Sequence, residues 1–391
     1  MPSSTAQRVT YLGLVDFRND HRRFGIRQQD RRSHMHIIGK TGTGKSTLLA
    51  TMIRQDMQNG QGLALVDPHG DLVEKVLTFT PENRRKDLIY FNVPDPNLRI
   101  GFNPLHAIPK AECALAAADL LDVFKKIWAE SWGPRLEHIL RNVLLALLDQ
   151  GEASLADVNR LLGEREYRRE VVLHLPNKEV REFWLREYEN YPERLRAEAI
   201  SPIQNKIGAF LANPLLARII TSRDNVIDLQ AVMNDGKILL VNLSKGRVGE
   251  DTAALLGALL VSRLGRTALH RASIPENQRR DFHLYLDEFQ TFSTNSLCQM
   301  LSELRKYRLN LVLAHQFLGQ LGETLQQAVM GNVGTLIAFR VGANDAEALE
   351  AEFRPVFSEP DLINLPNYRA CIRLMIDGEV SRPFSALAMP V

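Results

Sequence analysis

The sequence has few cysteines, and this scarcity narrows what the protein can be. Only three occur in 391 residues, and Cys113, Cys298 and Cys371 lie too far apart for the spacing of a metal-binding motif. They also provide no disulfide framework, which is typical of a protein from a reducing cytosol. We expect the three side chains to be buried as small apolar groups.

Signs of secretion or of membrane insertion are missing as well. The N-terminal stretch MPSSTAQRVTYLGLVDF has no long apolar core of the kind that signal peptides carry. The most apolar run, TAALLGALLVSRL, is shorter than the about 20 residues that a helix needs to span a bilayer. We therefore expect this run to form a buried helix in a cytoplasmic protein.

The chain has no large excess of charge of either sign. Its 48 Lys and Arg residues are balanced by 46 Asp and Glu residues, which leaves a formal net charge of +2. Such a chain has no global field that attracts nucleic acid. Binding to a polyanion would therefore require local basic patches or several subunits arranged around a channel.

A complete phosphate-binding motif is present near the N-terminus. The pattern of the stretch HIIGKTGTGKST predicts the end of an apolar strand, a glycine-rich loop and the start of a helix. Glycines allow backbone N–H groups to point at phosphate oxygens, and the helix N-terminus adds partial positive charge. Lys45 is expected at the β- and γ-phosphates, the Ser46 hydroxyl on Mg²⁺ and Thr47 near the α-phosphate. The predicted nucleotide-binding residues are Gly39, Lys40, Thr41, Gly42, Thr43, Gly44, Lys45, Ser46 and Thr47.

A second acidic motif supplies what phosphoryl transfer needs besides this loop. The stretch FHLYLDEFQ is an apolar strand that ends in Asp287 and Glu288. We expect Asp287 to hold Mg²⁺, in part through water, and Glu288 to orient or deprotonate the attacking water. A solvated acidic pair at a strand end is the alternative interpretation. The adjacent second acid favours hydrolysis of a nucleoside triphosphate over a metabolic kinase reaction.

A third strand, LVLAHQ, ends in Gln316. An amide at this position can hydrogen-bond both the lytic water and the γ-phosphate, so Gln316 is a candidate sensor of phosphate loss. A polar residue that simply leaves a sheet is the alternative.

The order of strand and helix patterns predicts an α/β fold with a mostly parallel sheet. Apolar runs typical of buried strands occur at 34–39, 62–67, 87–92, 237–244, 281–288, 309–316, 334–341 and 368–377, and a helical pattern occupies 45–58. Between about 106 and 224 the patterns are almost only helical, and Pro202 is a candidate break. We predict an all-α domain at 106–224 inserted into a core formed by 1–105 and 225–391.

The motifs IIGKTGTGKST, LVDPHGDL, FNPL, LYLDEFQ, LSELRKYRLNLVLAHQ and SRPF occur in one order over nearly the whole chain. This set resembles the FtsK–HerA superfamily of P-loop ATPases, and more narrowly the coupling proteins of type IV secretion systems. These are hexameric motors of bacterial conjugation. The resemblance implies a RecA-like motor domain with an inserted all-α domain.

The resemblance also implies residue roles. An arginine finger that reaches into the neighbouring subunit aligns with Arg305 in ELRKYRLN, and Arg308 and Arg340 are alternatives. The family often carries an arginine before the P-loop strand, a place that Arg31 or Arg32 could take. A solvated surface pair is the alternative for these two arginines.

Two further pairs of residues have less defined roles. Asp67 and His69 of DPHG are expected near the metal side of the site, although a turn that caps the next helix explains Asp67 equally well. Lys245 and Arg247 are candidate DNA contacts in a loop that follows a strand, and an ordinary exposed turn is the alternative.

The resemblance implies an ATP- and Mg²⁺-dependent DNA translocase that forms a ring. The expected partners are DNA, further copies of the chain in a hexamer, and relaxosome or secretion-channel proteins. One alternative is a HerA-like motor in repair, plasmid maintenance or defence. Another is a nucleotide-switched adaptor for protein cargo. Coupling proteins usually begin with transmembrane helices, which this sequence does not show. We therefore expect either a soluble motor or attachment to the inner membrane through partners.

Overall fold

The structure is a computed structural model that describes residues 8–18 and 21–389. The chain separates into two compact units. The first contains the described residues before Val93, the segment Leu229–Val248 and the residues from Leu264 onward. The second contains Val93–Asp228 and Gly249–Arg263.

An eleven-stranded sheet dominates the described part of the first unit. Its strands are β1 Val9–Val15, β2 Arg23–Arg27, β3 Met35–Ile38, β4 Gly62–Asp67, β5 Leu88–Asn92, β6 Ile238–Asn242, β7 Phe282–Leu286, β8 Leu309–His315, β9 Thr335–Ala338, β10 Arg369–Arg373 and β13 Phe384–Ala388. A separate two-stranded ribbon joins β11 Met375–Ile376 to β12 Glu379–Val380.

The strand order is β2-β1-β13-β10-β9-β3-β8-β7-β4-β6-β5. The strands from β9 to β5 are parallel, whereas β10, β13, β1 and β2 extend the sheet in antiparallel pairing. Every predicted strand is present, so the α/β fold with a mostly parallel sheet is confirmed. The sequence analysis did not identify β1, β2 and β13.

The central strands are buried along their whole length, because both faces of the sheet are covered. Neighbouring residues of β3 illustrate this arrangement. Ile37 packs in a cluster with Leu49 and Ile53, whereas Ile38 packs in a second cluster with Leu349 and Phe353. Alternate side chains of a strand point to opposite faces, so the two clusters lie on the two sides of the sheet.

Along the chain, most helices of the first unit connect one strand to the next. They are α1 Gln28–Arg31, α2 Lys45–Gln58, α3 Asp71–Thr78, α11 Leu229–Asn234, α12 Lys245–Val248, α14 Asn295–Glu303, α15 Glu323–Asn332, α16 Ala343–Phe353 and α17 Glu359–Ile363. Helix α12 occupies the predicted loop that contains Lys245 and Arg247.

The described residues of the second unit are mostly helical, apart from an irregular segment at 93–109, turns, and one isolated bridge between Gly101 and Val226. Its helices are α4 Cys113–Ile127, α5 Pro134–Gln150, α6 Ala156–Gly163, α7 Arg165–Leu173, α8 Lys178–Glu182, α9 Glu193–Ala212, α10 Pro214–Ile220 and most of α13 Glu250–Leu269. The limits of this unit are wider than 106–224, and the inserted domain stays a prediction.

The predicted break at Pro202 is wrong. Helix α9 continues through Pro202, and the chain breaks instead at Asn213. The Asn213 side chain accepts hydrogen bonds from the backbone N–H groups of Leu215 and Leu216, at 3.1 and 3.3 Å. Asn213 is therefore the N-cap of a new helix, and Pro214 occupies the first helical position, where proline is favoured.

The apolar run at 252–264 lies in helix α13, Glu250–Leu269. Among the described residues, one segment, Glu250–Ser273, is long and apolar enough to cross a membrane by length and composition. However, 83% of its apolar window is buried inside the protein, as the core helix of a folded domain would be.

Candidate nucleotide-binding site

The loop between β3 and α2 has the backbone geometry of a phosphate cradle. Gly42 and Gly44 have φ values of +77° and +123°, which residues with a side chain rarely adopt. Helix α2 begins at Lys45, so its first backbone N–H groups lack partners within the helix and face the loop. The loop and the helix N-terminus together form a site suited to anionic oxygens.

The ammonium group of Lys45 is held inside this loop. Its Nζ donates to the carbonyl oxygens of Gly39, at 2.5 Å, and Lys40, at 3.2 Å. Burial lowers the pKa of Lys45, and the carboxylates of Glu288 and Asp287 oppose that shift. The side chain is therefore aimed at the position that phosphate oxygens would take.

Asp287 and Glu288 follow β7 at the same edge of the sheet, and each is at most 8% exposed. Glu288 has a φ of +47°, a left-handed conformation that is uncommon for a residue with a side chain. Burial, followed by the charges of Asp67 and Glu288, raises the pKa of Asp287 to about 7. The Asp287 carboxyl group therefore keeps its proton to a higher pH than an ordinary aspartate, and a cation beside it would favour the ionised form.

Two amides hold the carboxylate of Glu288. Gln316 Nε2 donates to Glu288 Oε1 at 3.0 Å, and Gln290 Nε2 donates to Oε2 at 2.8 Å. The proposed sensor and the proposed base are thus in direct contact. Gln290 was not identified from the sequence, although its position two residues after Glu288 in DEFQ was visible.

Residues of the phosphate loop, the acidic pair and Gln316 line one cavity of about 430 Å³. Its walls include Thr41, Gly42, Gly44, Lys45, Ser46, Thr47, Asp67, His69, Asp287, Glu288, Gln316 and Tyr368. Gly39, Lys40 and Thr43 do not line it but shape the loop, because the Thr43 hydroxyl donates to the Lys40 carbonyl oxygen at 2.7 Å. The structure therefore brings the three predicted motifs together.

The donor atoms in this cavity fit Mg²⁺. The exposed Ser46 hydroxyl and the Asp287 carboxylate are oxygen ligands, which Mg²⁺ prefers. Within residues 8–18 and 21–389, no group of three or more His, Cys, Asp or Glu side chains could hold a metal ion. A Mg²⁺ site of one or two protein ligands agrees with this, because the ion usually retains waters and binds phosphates.

Asp67 has a structural role in addition to its place in the cavity wall. Its Oδ1 accepts from the backbone N–H of His69 at 2.8 Å, and its Oδ2 accepts from those of Leu72 and Val73 at 2.9 and 3.1 Å. The carboxylate thereby closes the DPHG turn and caps helix α3. Both interpretations of Asp67 are compatible with this geometry, and His69 stands in the same wall.

Arg305 lies outside this cavity. It precedes β8, whereas Gln316 follows β8, so the length of a seven-residue strand, roughly 20 Å, separates them. Arg305 is exposed and lines another cavity, of about 590 Å³, together with Arg32 and Arg308. Arg305 is thus remote from the phosphate loop of its own chain.

The guanidinium groups of Arg32 and Arg308 share one carboxylate. Arg32 makes two hydrogen bonds of 2.9 Å to Asp281, and Arg308 lies 3.7 Å from the same carboxylate. Both arginines therefore form ion pairs with Asp281. Neither lines the nucleotide cavity.

The expectation that Arg31 lies on the surface or near a nucleotide is wrong, because its side chain is only 1% exposed. It forms hydrogen bonds of 2.6 and 2.9 Å to Asp56 and one of 2.7 Å to the Tyr285 hydroxyl. Burial alone would lower its pKa, but Asp56 and Tyr285 outweigh burial and raise it. Arg31 therefore links α1, α2 and β7 inside the core.

The remaining candidates lie beside the site but outside the cavity. Arg340 donates to the Asn367 side chain at 2.9 Å, and its carbonyl oxygen accepts from the Lys40 N–H at 2.8 Å. Arg247 is exposed on α12, where the Lys245 N–H donates to the Pro68 carbonyl oxygen at 2.7 Å.

Two features under and beside the loop were not found from sequence. His36 and His315 are buried with their Nε2 atoms 2.7 Å apart, and burial lowers the pKa of both imidazoles. Tyr368 lines the cavity next to Gly44. His36 and His315 lie within the motifs HIIGKTGTGKST and LVLAHQ, but their contact could not be predicted, because β3 and β8 meet only in the folded sheet. No motif marks Tyr368.

A parallel sheet with a complete P-loop and an acidic pair at the carboxyl ends of its strands defines a P-loop nucleotide-binding protein. A family model for the type IV secretion-system coupling protein DNA-binding domain matches residues 22–353. The chain belongs to this family, which confirms the resemblance noted from the sequence motifs. A search of the curated proteins found no matching sequence.

Several solved structures share the fold of this chain. The plasmid coupling protein TrwB in complex with a non-hydrolysable GTP analogue has a TM-score of 0.68 at 17% identity, covering 98% of this chain and 90% of that one. TrwB with ADP and Mg²⁺ has a TM-score of 0.67 at 18% identity, covering 93% and 87%. VirB4 of Thermoanaerobacter pseudethanolicus has a TM-score of 0.67 at 15% identity, covering 100% and 97%.

Proposed function

We propose that the protein is an ATP-hydrolysing DNA translocase of the type IV secretion coupling type. The observation that carries this proposal is the cavity in which Lys45, Asp287, Glu288 and Gln316 converge. Membership of a family described as a coupling-protein DNA-binding domain supports the assignment to DNA transfer. The motor would consist of 1–105 and 225–391, and 106–224 would be an inserted all-α domain.

The nucleotide would bind along the phosphate loop. Backbone N–H groups of Gly42, Gly44 and the start of α2 would contact the phosphates, with Lys45 between the β- and γ-phosphates and Thr47 at the α-phosphate. Ser46 and Asp287 would hold Mg²⁺, which would neutralise charge on the phosphates. TrwB structures contain ADP with Mg²⁺ and analogues of ATP and GTP, which supports this assignment.

Hydrolysis would depend on Glu288 and Gln316. Glu288 would accept a proton from the attacking water, whose oxygen would approach the γ-phosphorus in line with the departing ADP oxygen. Gln316 already donates to Glu288, at 3.0 Å, and would exchange this hydrogen bond for contacts with water or phosphate. The exchange would report the loss of the γ-phosphate to β8.

A ring would complete the site from a neighbouring subunit. Arg305 is exposed and a strand's length away from the phosphate loop of its own chain, so it would act on the nucleotide of an adjacent chain. A planar guanidinium suits the oxygens of a transferring phosphoryl group. Six subunits would also gather the Lys245 and Arg247 side chains around DNA, although each chain has a net charge of only +2.

The partners would be DNA, further copies of this chain, and relaxosome or secretion-channel proteins. We propose a cytoplasmic location with any contact to the inner membrane made through partners. A HerA-like motor with another task would use the same site.

The test is the ATPase rate of the purified full chain with and without single- and double-stranded DNA. The expected result is a rate that rises with DNA and falls again at high salt, because phosphate contacts are screened. Lys45→Ala serves as the control for contaminating ATPases. An ATPase rate that neither single- nor double-stranded DNA changes would favour a nucleotide-switched adaptor instead.

A further inference from the structure

Tyr368 is an exposed aromatic side chain in the nucleotide cavity, and none of the phosphate chemistry described above uses it. It is 48% exposed and lies just before β10. The cavity wall therefore includes an accessible aromatic ring.

The backbone of Tyr368 is held in a conformation that a bulky residue rarely adopts. Its φ is +66°, in the left-handed region. Its N–H donates to the Thr43 carbonyl oxygen at 2.7 Å, and its carbonyl oxygen accepts from the Ala388 N–H at 2.8 Å. These two hydrogen bonds fix the residue between the phosphate loop and β13. Such strain is often found at ligand sites.

The ring lies against the end of the phosphate loop. A Cβ atom added to Gly44 would come within 3.1 Å of Tyr368 Cδ1 and 3.3 Å of its Cα. Gly44 immediately precedes Lys45 and helix α2. The aromatic face is therefore close to the loop, at the place where a bound nucleotide must continue beyond its phosphates.

The sheet order shows which end of the nucleotide would reach this ring. The phosphate loop follows β3; β8, β7 and β4 lie on one side of that strand, and β9 and β10 lie on the other. On the first side, Gln316 and Asp287 follow β8 and β7, and Asp67 is the last residue of β4. With the γ-phosphate and metal on that side, the base would extend toward β9 and β10, where Tyr368 stands.

We propose that Tyr368 forms the nucleobase subsite and that its ring stacks on the base of the bound nucleoside triphosphate. Stacking on an aromatic side chain suits any base, because every base has a π face. The inference rests on the proposed nucleotide site and adds the position of the base to it.

The test compares two ligands on the full chain in the presence of Mg²⁺: ATP, and inorganic tripolyphosphate, which has phosphates but no base. Tyr368→Phe keeps the ring. Tyr368→Leu keeps an apolar side chain without a ring, and Tyr368→Gly removes the side chain while suiting the positive φ. Tyr11→Leu is the matched control, because Tyr11 is similarly exposed, at 44%, but does not line the cavity.

We expect Tyr368→Leu and Tyr368→Gly to weaken ATP binding by about 5- to 150-fold, the range measured for loss of one base-stacking ring. Binding of tripolyphosphate should stay unchanged in all variants, and Tyr368→Phe and Tyr11→Leu should bind ATP like the parent protein. Unchanged ATP affinity in Tyr368→Gly would overturn the inference. An equal loss of both ligands would also overturn it, since the ring would then support the loop rather than the base. A parent protein that binds neither ligand would instead contradict the nucleotide site itself.

Discussion

Asp287 is the carboxyl group whose ionisation the folded chain opposes most clearly within the site. Burial and the neighbouring charges of Asp67 and Glu288 raise its pKa to about 7 from an ordinary value of 3.8. A raised pKa means that the folded chain binds this proton more tightly than the unfolded chain does. The stabilisation is fully present below pH 4 and is lost as the pH rises through 7.

The first prediction concerns this proton. Without nucleotide and Mg²⁺, Asp287→Asn should be more stable than the parent protein at pH 8.5, by up to about 4 kcal/mol, because no buried carboxylate must ionise. The advantage should shrink as the pH falls toward 5. Thermal unfolding midpoints of both proteins in a chelator, measured across this range, check the result. If the unfolding midpoints of the two proteins changed in parallel with pH, ionisation of Asp287 would not destabilise the fold.

The buried ion pair of Arg31 and Asp56 gives the second prediction. Arg31→Met should destabilise the fold by about 3–5 kcal/mol, because it leaves Asp56 ionised without its partner in the core. The loss should be larger at pH 8 than at pH 5, where Asp56 can be protonated in the variant. Urea unfolding at both pH values measures this. Arg27→Met, at an exposed arginine that pairs with Asp377, is the control and should change stability little.

At the same scale, the sequence revealed the residues whose chemistry is local. The phosphate loop and the Asp287–Glu288 pair each lie within a short stretch, so spacing alone identified them. The partners of Arg31 lie on α2 and β7, up to 254 residues away, and only the fold brings them together. Tyr368 reaches the loop in the same way, which explains why no motif pointed to it.

Among the elements, helix α3 depends on a cap supplied by the strand before it. Asp67 accepts three backbone hydrogen bonds across the DPHG turn, and α3 forms a wall of the cavity. Asp67→Ala should therefore lower stability by about 1–2 kcal/mol, as the loss of other N-caps does. Asp71→Ala is the matched control, since Asp71 is exposed in the first turn of the same helix, where we expect a carboxylate to stabilise the helix only modestly through the dipole. Calorimetric unfolding of both variants makes the comparison. Equal effects would mean that the cap is not the source of the stabilisation.

The parallel strands were predictable because each is a mostly apolar run between turn residues. In the antiparallel extension only β10 was predicted; β1, β2 and β13 were not, since their pairing is long-range and they are only partly buried. β1 pairs with β13, at the other end of the chain, and β2 reads RFGIR, which looks like a charged surface segment. Composition alone does not show that such a segment joins the sheet as an edge strand.

At the scale of the whole molecule, the position of Arg305 predicts that ATP hydrolysis requires two neighbouring subunits of an oligomer. Arg305→Ala should nearly abolish hydrolysis while ATP affinity is kept, because arginine fingers contribute roughly 10³–10⁵ in rate. Mixing Arg305→Ala with Glu288→Gln subunits, each inactive alone, should restore part of the ATPase activity. Some interfaces of a mixed ring would then join an intact Glu288 to an intact Arg305. Mixed rings without recovery would rule out Arg305 as the residue acting across subunits.

The most direct test of the account separates nucleotide binding from hydrolysis in the full chain. Lys45→Ala should lose ATP binding, because the phosphates lose their main positive partner in the loop. Glu288→Gln should bind ATP with the affinity of the parent protein and fail to hydrolyse it, because the amide cannot accept the proton of the attacking water. ATP affinity and single-turnover hydrolysis measured on both variants decide the matter. A Glu288→Gln protein that hydrolyses ATP at the parent rate, or a Lys45→Ala protein that binds it normally, would contradict the roles assigned to this site.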